Sequence, residues 1–191
     1  GVTERWSIEL HGLGPSARPV VTTGRVLVPT AGSLVALDLT TGEKLWHHGH
    51  EQPWPSAPAV HNGIAYTGFA DQSSLVALDV ETGQEQWHVE TRGSINATPT
   101  FDHRFKYLFV GDDTGRIYRI DTSSGEMTLH GTVFGSVSAL AHRHSLLVGT
   151  ESGEVYNVYP HEGEFTGLWR RSVDGSVTAL TATSVGALVG T

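Results

Sequence analysis

Eleven histidines, several adjacent acidic residues and no cysteine define the chemistry open to this 191-residue chain. The run "HHGH" (47–50) has the residue types of a metal site. On an extended strand, however, His48 and His50 share one face and His47 points to the other, so at most two imidazoles converge. A structural or catalytic transition metal takes three or four ligands with supporting hydrogen bonds. "HRH" (142–144) meets the same limit and reads as a hairpin tip. Asp112-Asp113 and Glu162/Glu164 fall in turn-like stretches, where carboxylates cap backbone N–H groups. Acid–base catalysis instead needs two carboxylates that face each other with separated pKa values. "GDDTG" (111–115) reads as a hairpin turn before it reads as a calcium loop, and no G-x-S-x-G elbow occurs. The residues thus assign no catalytic group and no metal ligand.

Bulk properties narrow the partners. The net charge is −8, with two lysines (Lys44, Lys106) against ten arginines. An acidic, lysine-poor surface disfavours nucleic acid and anionic lipid. No run of 18 apolar residues could span a membrane as a helix. Without a cysteine there are no disulfides, thiolate metal sites or Cys nucleophile. The absence of an initiator Met and of a charged-then-apolar leader leads us to expect a processed chain or an excised segment.

The elements that would position any site come from a repeat. "ALDLTTGEKLW" (36–46) recurs as "ALDVETGQEQW" (77–87). The small-residue pairs Ser16-Ala17, Ser56-Ala57, Asn96-Ala97, Ser136-Val137 and Ser176-Val177 follow each other at 40-residue steps. Gly42, Gly83, Gly125 and Gly163 keep a similar interval, with Asp38, Asp79 and Asp121 each four residues ahead of their glycine and Tyr159 in the fourth copy. Trp6, Trp46 and Trp87 recur in step; Leu129 takes the next position and Trp169 arrives two residues late. Within each unit, β-branched and aromatic runs such as "RVLVPT" (25–30) and "YLFVG" (107–111) alternate with Gly- and Asp-rich turns, and no helical stripe appears.

Four short antiparallel strands per 40 residues cannot bury both faces alone, so copies must stack. The predicted fold is all-β: a β-propeller of four-stranded antiparallel blades, with strands A to D running from the axis outward. We expect an amino-terminal D strand over 4–10, blades over about 16–54, 55–94, 95–134 and 135–173, and a partial blade over 174–191. The A strands should start near Ala17, Ala57, Ala97 and Val137. With no fifth C strand, the expectation is an arc of a larger seven- or eight-bladed ring. Asp38, Gly42, Trp46, Asp79, Gly83, Trp87, Asp121, Gly125, Gly163 and Trp169 then form a structural unit: Asp folds the turn, Gly takes its positive φ, and Trp clasps the neighbouring blade.

"VALDLTTGEKLW" (35–46), "VALDVETGQEQW" (76–87) and "YRIDTSSGEM" (118–127) resemble the repeat of pyrroloquinoline-quinone-type (PQQ-like) propellers. "VYPHEGEFTGLW" (158–169) departs from it, with Tyr159 for Asp and a displaced Trp169. The resemblance implies one of two kinds of protein. Quinoprotein dehydrogenases hold PQQ and calcium at the ring centre; scaffold members bind no quinone and serve in outer-membrane assembly or extracellular sensing. The alcohol dehydrogenases carry a vicinal Cys-Cys pair that this chain cannot supply. The expectation is therefore a non-enzymatic scaffold without cofactor or metal, outside the cytoplasm (periplasmic, cell-surface or secreted), that binds a protein or peptide. The remaining blades of a parent chain, or self-association at open edges, are the other expected contacts. A segment of a PQQ-dependent dehydrogenase is the alternative. Binding is expected on the D-to-A loops, which vary most between copies, with Trp54 and Phe134 as apolar candidates and Arg92 and Asn96 as polar ones.

Overall fold

The computed structural model describes residues 6–10, 18–49, 55–69, 73–161, 164–183 and 186–191. Eighteen strands are assigned among them, and no helix. Four antiparallel four-stranded meanders follow one another along the chain. The first holds β1 (Val20–Thr22), β2 (Arg25–Thr30), β3 (Ser33–Asp38) and β4 (Lys44–Gly49). The second holds β5 (Ala59–His61), β6 (Ile64–Phe69), β7 (Ser74–Asp79) and β8 (Glu85–Glu90). The third holds β9 (Thr100–Phe101), β10 (Tyr107–Gly111), β11 (Arg116–Asp121) and β12 (Met127–Thr132). The fourth holds β13 (Val137–His142), β14 (Leu146–Thr150), β15 (Glu154–His161) and β16 (Glu164–Ser172). A two-stranded sheet, β17 (Ala179–Ala182) and β18 (Ala187–Gly190), follows. The fold is an all-β propeller.

The middle strands of each blade are buried on both faces, which is why they read as continuous apolar runs. Leu34 and Ala36 of β3 pack with Ala65, Val76 and Leu78 of the second blade, whereas Val35 and Leu37 turn back towards Trp6 and Leu10. The same alternation packs Tyr66, Leu75 and Ala77 against Leu108, Val110 and Ile120, and then Phe109 and Ile117 against Leu146 and Val148. The inner strands are shorter and begin later than expected in three blades. β1, β5 and β9 start immediately after Pro19, Pro58 and Pro99, which have no N–H to give a ladder, whereas β13 runs six residues without one.

Each blade is keyed to the next at two places. On the outer side, Trp6, Trp46 and Trp87 lie over Gly42, Gly83 and Gly125, and their indole N–H groups donate to Leu39, Val80 and Thr122 carbonyls at 3.1, 3.0 and 3.3 Å. A Cβ at Gly83 would stand 2.6 Å from the Trp46 ring. On the inner side, Ile95, Val137 and Val177 press against Gly68, Gly111 and Gly149 of the preceding blade, where any Cβ would overlap them. These three residues, not the evenly spaced small pairs, are the equivalent positions. The 40-residue alignment is therefore two residues out of register between Asn96-Ala97 and Ser136-Val137, and Ser176-Val177 inherits the same offset.

Three further expectations are corrected. Of the amino-terminal D strand over 4–10, the described residues 6–10 are in no strand, since no C strand is hydrogen-bonded beside them, yet Trp6 still makes the clasp. Trp169 is not out of place: it pairs with Asn157 as Trp46 pairs with Ala36 and Trp87 with Ala77. With Tyr159 in place of the turn-forming Asp, the ladder continues to His161–Glu164, and the longer hairpin absorbs the two extra residues. In the third blade the bulge falls on the other side of Leu129, leaving that side chain 59% exposed while His130 is buried beside Phe109. Ser16-Ala17, His50, Trp54, Glu162 and Gly163 lie outside the described residues. The segments leading into β1 and β17 meet across the ring, where Arg18 Nη2 donates to the Thr178 carbonyl at 3.4 Å.

Candidate functional site

The repeated carboxylates are spent on their own turns. Asp38 Oδ1 accepts the N–H groups of Thr40 and Thr41, both at 2.8 Å. Asp79 Oδ1 accepts those of Glu81 and Thr82 together with the Thr82 hydroxyl, and Asp121 does likewise with Ser123 and Ser124. Gly42, Gly83 and Gly125 follow at φ of 74°, 73° and 73°. Hydrogen bonds hold all three carboxyls below their ordinary pKa: chiefly the Thr41 N–H at Asp38, the Thr82 N–H at Asp79 and the Ser123 hydroxyl at Asp121. With Oδ1 committed in this way, all three carboxylates form their turns.

The D-to-A loops are a different construction. Arg92 and Phe134 hold equivalent positions two residues before Ser94 and Ser136, and Asp174 is their counterpart before Ser176. Their loop backbones are pinned from below by tyrosines of the next strand C. The Arg92 N–H donates to Tyr118 Oη at 3.1 Å, and the Phe134 N–H donates to Tyr156 Oη at 3.2 Å. Tyr118 in turn donates to Asp112 Oδ2 at 2.8 Å in a fully buried contact, and burial pushes its phenol above the ordinary pKa. Asp112 Oδ1 takes the Thr114 and Arg116 N–H groups, and Asp113 Oδ1 takes the Ser94 N–H. "GDDTG" therefore closes a B-to-C turn and fastens the neighbouring loop.

On this anchored backbone the side chains point outward. Arg92 and Asn96 are exposed, and Phe134 is 74% exposed, the most of any described large apolar residue. Arg92 and Phe134 occur at matching points on adjacent blades, with Asn96 in the connection that leads into β9. Trp54, the fourth expected residue, is outside the described residues. The anchors were not anticipated, although a signal existed: Tyr118 and Tyr156 each stand three residues after a hairpin glycine, Gly115 and Gly153.

The histidine run lies elsewhere, in a cleft of about 370 Å³ between the first two blades, lined by His47, His48, Phe69, Glu85 and His88 among others. Glu85 Oε1 is 2.6 Å from His88 Nδ1, and its Oε2 is 3.9 Å from His48 Nε2. The glutamate thus ties imidazoles of two blades together. Among the described residues no three such groups are placed to hold a metal ion. No helix long and apolar enough to cross a membrane occurs among them.

Known structures share this fold. The computationally designed Ika4 protein superposes with a TM-score of 0.72 at 24% identity, covering 84% of this chain and all of Ika4. The designed Ika8 protein superposes with a TM-score of 0.71 at 22% identity; the match covers 94% of this chain and 57% of the length of Ika8. Both likenesses concern the fold alone. No curated protein matches the chain. The sequence pattern of the family described as "Outer membrane protein assembly factor BamB" matches residues 3–170. With its Asp-Gly-Trp units seated as turns and clasps over most of the same span, the chain belongs to this PQQ-like repeat family of β-propellers.

Proposed function

We propose that the chain is a non-enzymatic binding scaffold whose D-to-A loop face takes up a protein or peptide. The observation that carries this reading is Phe134: a phenyl ring 74% exposed on a backbone held rigid by Tyr156. An aromatic side chain on a backbone already held in place leaves less chain to order when a partner covers it, and exposed aromatic residues are common interface anchors. Arg92, its backbone equivalently held by Tyr118, adds a guanidinium at the matching point of the adjacent loop, and Asn96 adds an amide. The family description supports a place in cell-envelope assembly outside the cytoplasm; extracellular sensing rests only on the resemblance of the repeat to PQQ-like scaffold members.

Non-enzymatic action is supported by the donor set near the axis. The inner strands β1, β5, β9, β13 and β17 contain no Asp, Glu, Asn or Gln. A calcium ion takes six to eight oxygen ligands, so these strands do not suit a quinone–calcium pair. A photo-crosslinking residue at 134 or 92, introduced into the full-length protein in cells, tests the reading. A discrete adduct from these positions and none from position 41 at the opposite end of the blades is expected. Equal adducts from both ends would overturn the proposed face. A stoichiometric quinone absorbance after adding PQQ and calcium would overturn the non-enzymatic assignment.

A further inference from the structure

The A-to-B connections lie at the opposite end of the blades from the D-to-A loops, and one of them is enlarged. Strands are joined there by Thr23-Gly24 in the first blade and Asn62-Gly63 in the second, but by Asp102–Lys106 in the third. This insertion, "DHRFK", is firmly built. Asp102 Oδ1 accepts the Tyr107 N–H at 2.9 Å, and the Phe105 N–H donates to the Asp102 carbonyl at 3.1 Å. Thr122 Oγ1 donates to the Phe105 and Lys106 carbonyls, each at 3.0 Å.

The cost of the construction falls on Phe105, which is held at φ 57°, a left-handed conformation that bulky residues avoid. Its ring nonetheless stays 46% exposed and stacks on His61 of the second blade, with centroids 4.1 Å apart and planes 6° from parallel. On the other side of the loop, His103 lies parallel to His142 of the fourth blade at 6.4 Å. One loop thereby lays aromatic surface across three blades. It is flanked by exposed cations: Arg104 and Lys106 in the loop, and Arg143 on the next hairpin. On a chain of net charge −8, with 12 Lys and Arg in all, this is a local inversion of sign. The Asp102 carboxylate accepts the Tyr107 N–H and faces His142, and Asp121 lies within charge range of Lys106, so Arg104 and Arg143 are the cations turned to a partner.

We infer that this rim docks an acidic peptide segment of a protein partner, its carboxylates on Arg104 and Arg143 and an aromatic side chain on the Phe105–His61 stack. Guanidinium groups receive carboxylates in paired hydrogen bonds, and a rigid aromatic platform gives the segment an apolar anchor. A short peptide is favoured over nucleic acid because the chain as a whole carries a net charge of −8, which repels a long polyphosphate extending beyond the rim. The site is separate from the loop face proposed above, so the two can fail independently.

The test uses a fluorescein-labelled synthetic peptide of Glu and Asp residues around a single Tyr, titrated with the whole protein and followed by anisotropy. Saturable binding is expected, weakening severalfold or more when salt is raised to about 0.5 M, where charge pairing is screened within a few ångströms. Arg104→Glu with Arg143→Glu should lower the affinity at least tenfold at unchanged circular dichroism, and Phe105→Asn, a residue that accepts the left-handed conformation, should lower it severalfold. Arg92→Glu with Phe134→Asp on the opposite face should leave it unchanged. Equal binding of a peptide with Lys for every acid, indifference to the Arg104 and Arg143 changes, loss through the opposite-face variant, or tighter binding of a single-stranded oligonucleotide would each overturn the proposal.

Discussion

Gly83→Ala measures what the tryptophan clasp contributes. Gly83 has φ 73°, and a methyl group there would reach within 2.6 Å of the Trp46 ring. Gly63 provides the reference: its φ is 76°, yet nothing lies within 4 Å of its would-be Cβ. At Gly63 alanine suffers only the left-handed backbone, about 1 kcal/mol. At Gly83 the same cost is joined by displacement of the indole. The ring loses its hydrogen bond to Val80, about 1 kcal/mol, and part of its packing, about another 1 kcal/mol. For a chain of this length, the totals of roughly 1 and 3 kcal/mol correspond to losses in melting temperature of about 2–4 °C for Gly63→Ala and about 6–12 °C for Gly83→Ala. Urea denaturation of both variants, repeated with Trp46→Ala, completes a double-mutant cycle. Once Trp46 is gone, Gly83→Ala should cost no more than Gly63→Ala, a coupling of about 2 kcal/mol. Equal losses at the two glycines in the Trp46 protein would refute the clasp, because the backbone cost alone would then explain both.

Two other outcomes follow from the same contacts. Gly111→Ala should shift the urea midpoint by the equivalent of about 1–3 kcal/mol, because its methyl group overlaps Val137, whereas Gly190→Ala, whose nearest neighbour is Ala179 Cβ at 3.4 Å, should stay within about 0.5 kcal/mol of the parent. Asp38, Asp79 and Asp121 have lower pKa values folded than unfolded, so their contribution is complete above the unfolded value of about 3.9 and is lost as pH falls through the folded values. Melting temperature should therefore drop steeply below about pH 4, and Asp79→Asn should make that drop shallower in a pH series of thermal melts.

The blades, their turns and their tryptophans were legible because each is dictated locally. An Asp four residues before a Gly folds its own hairpin, and a Trp at fixed distance finds the neighbouring turn without further instruction. Features that depend on two blades at once were not legible. Ile95, Val137 and Val177 are ordinary strand residues until Gly68, Gly111 and Gly149 are seen beneath them. That Glu85 joins His48 to His88 could not be read from "HHGH", because the glutamate lies one blade further on. Loop variability drew attention to Arg92 and Phe134, whose side chains are exposed, but not to the Tyr118 and Tyr156 hydroxyls that hold their backbone. "DHRFK" drew no attention as chemistry, since its reach to His61 and His142 is a matter of placement alone.

The exposed Leu129 has a consequence for how the molecule comes apart. Interfaces in a stacked array each carry their own share of cohesion, and an array opens first at its weakest joint. Two successive boundaries are riveted by an indole, but the one that Leu129 ought to rivet relies on the Val137 contact, the Phe109 ring against His142, and Phe109 and Ile117 packed on Leu146 and Val148. Amide exchange in native buffer would then divide the chain at that seam, the first three blades exchanging as one cooperative block and the remainder as another.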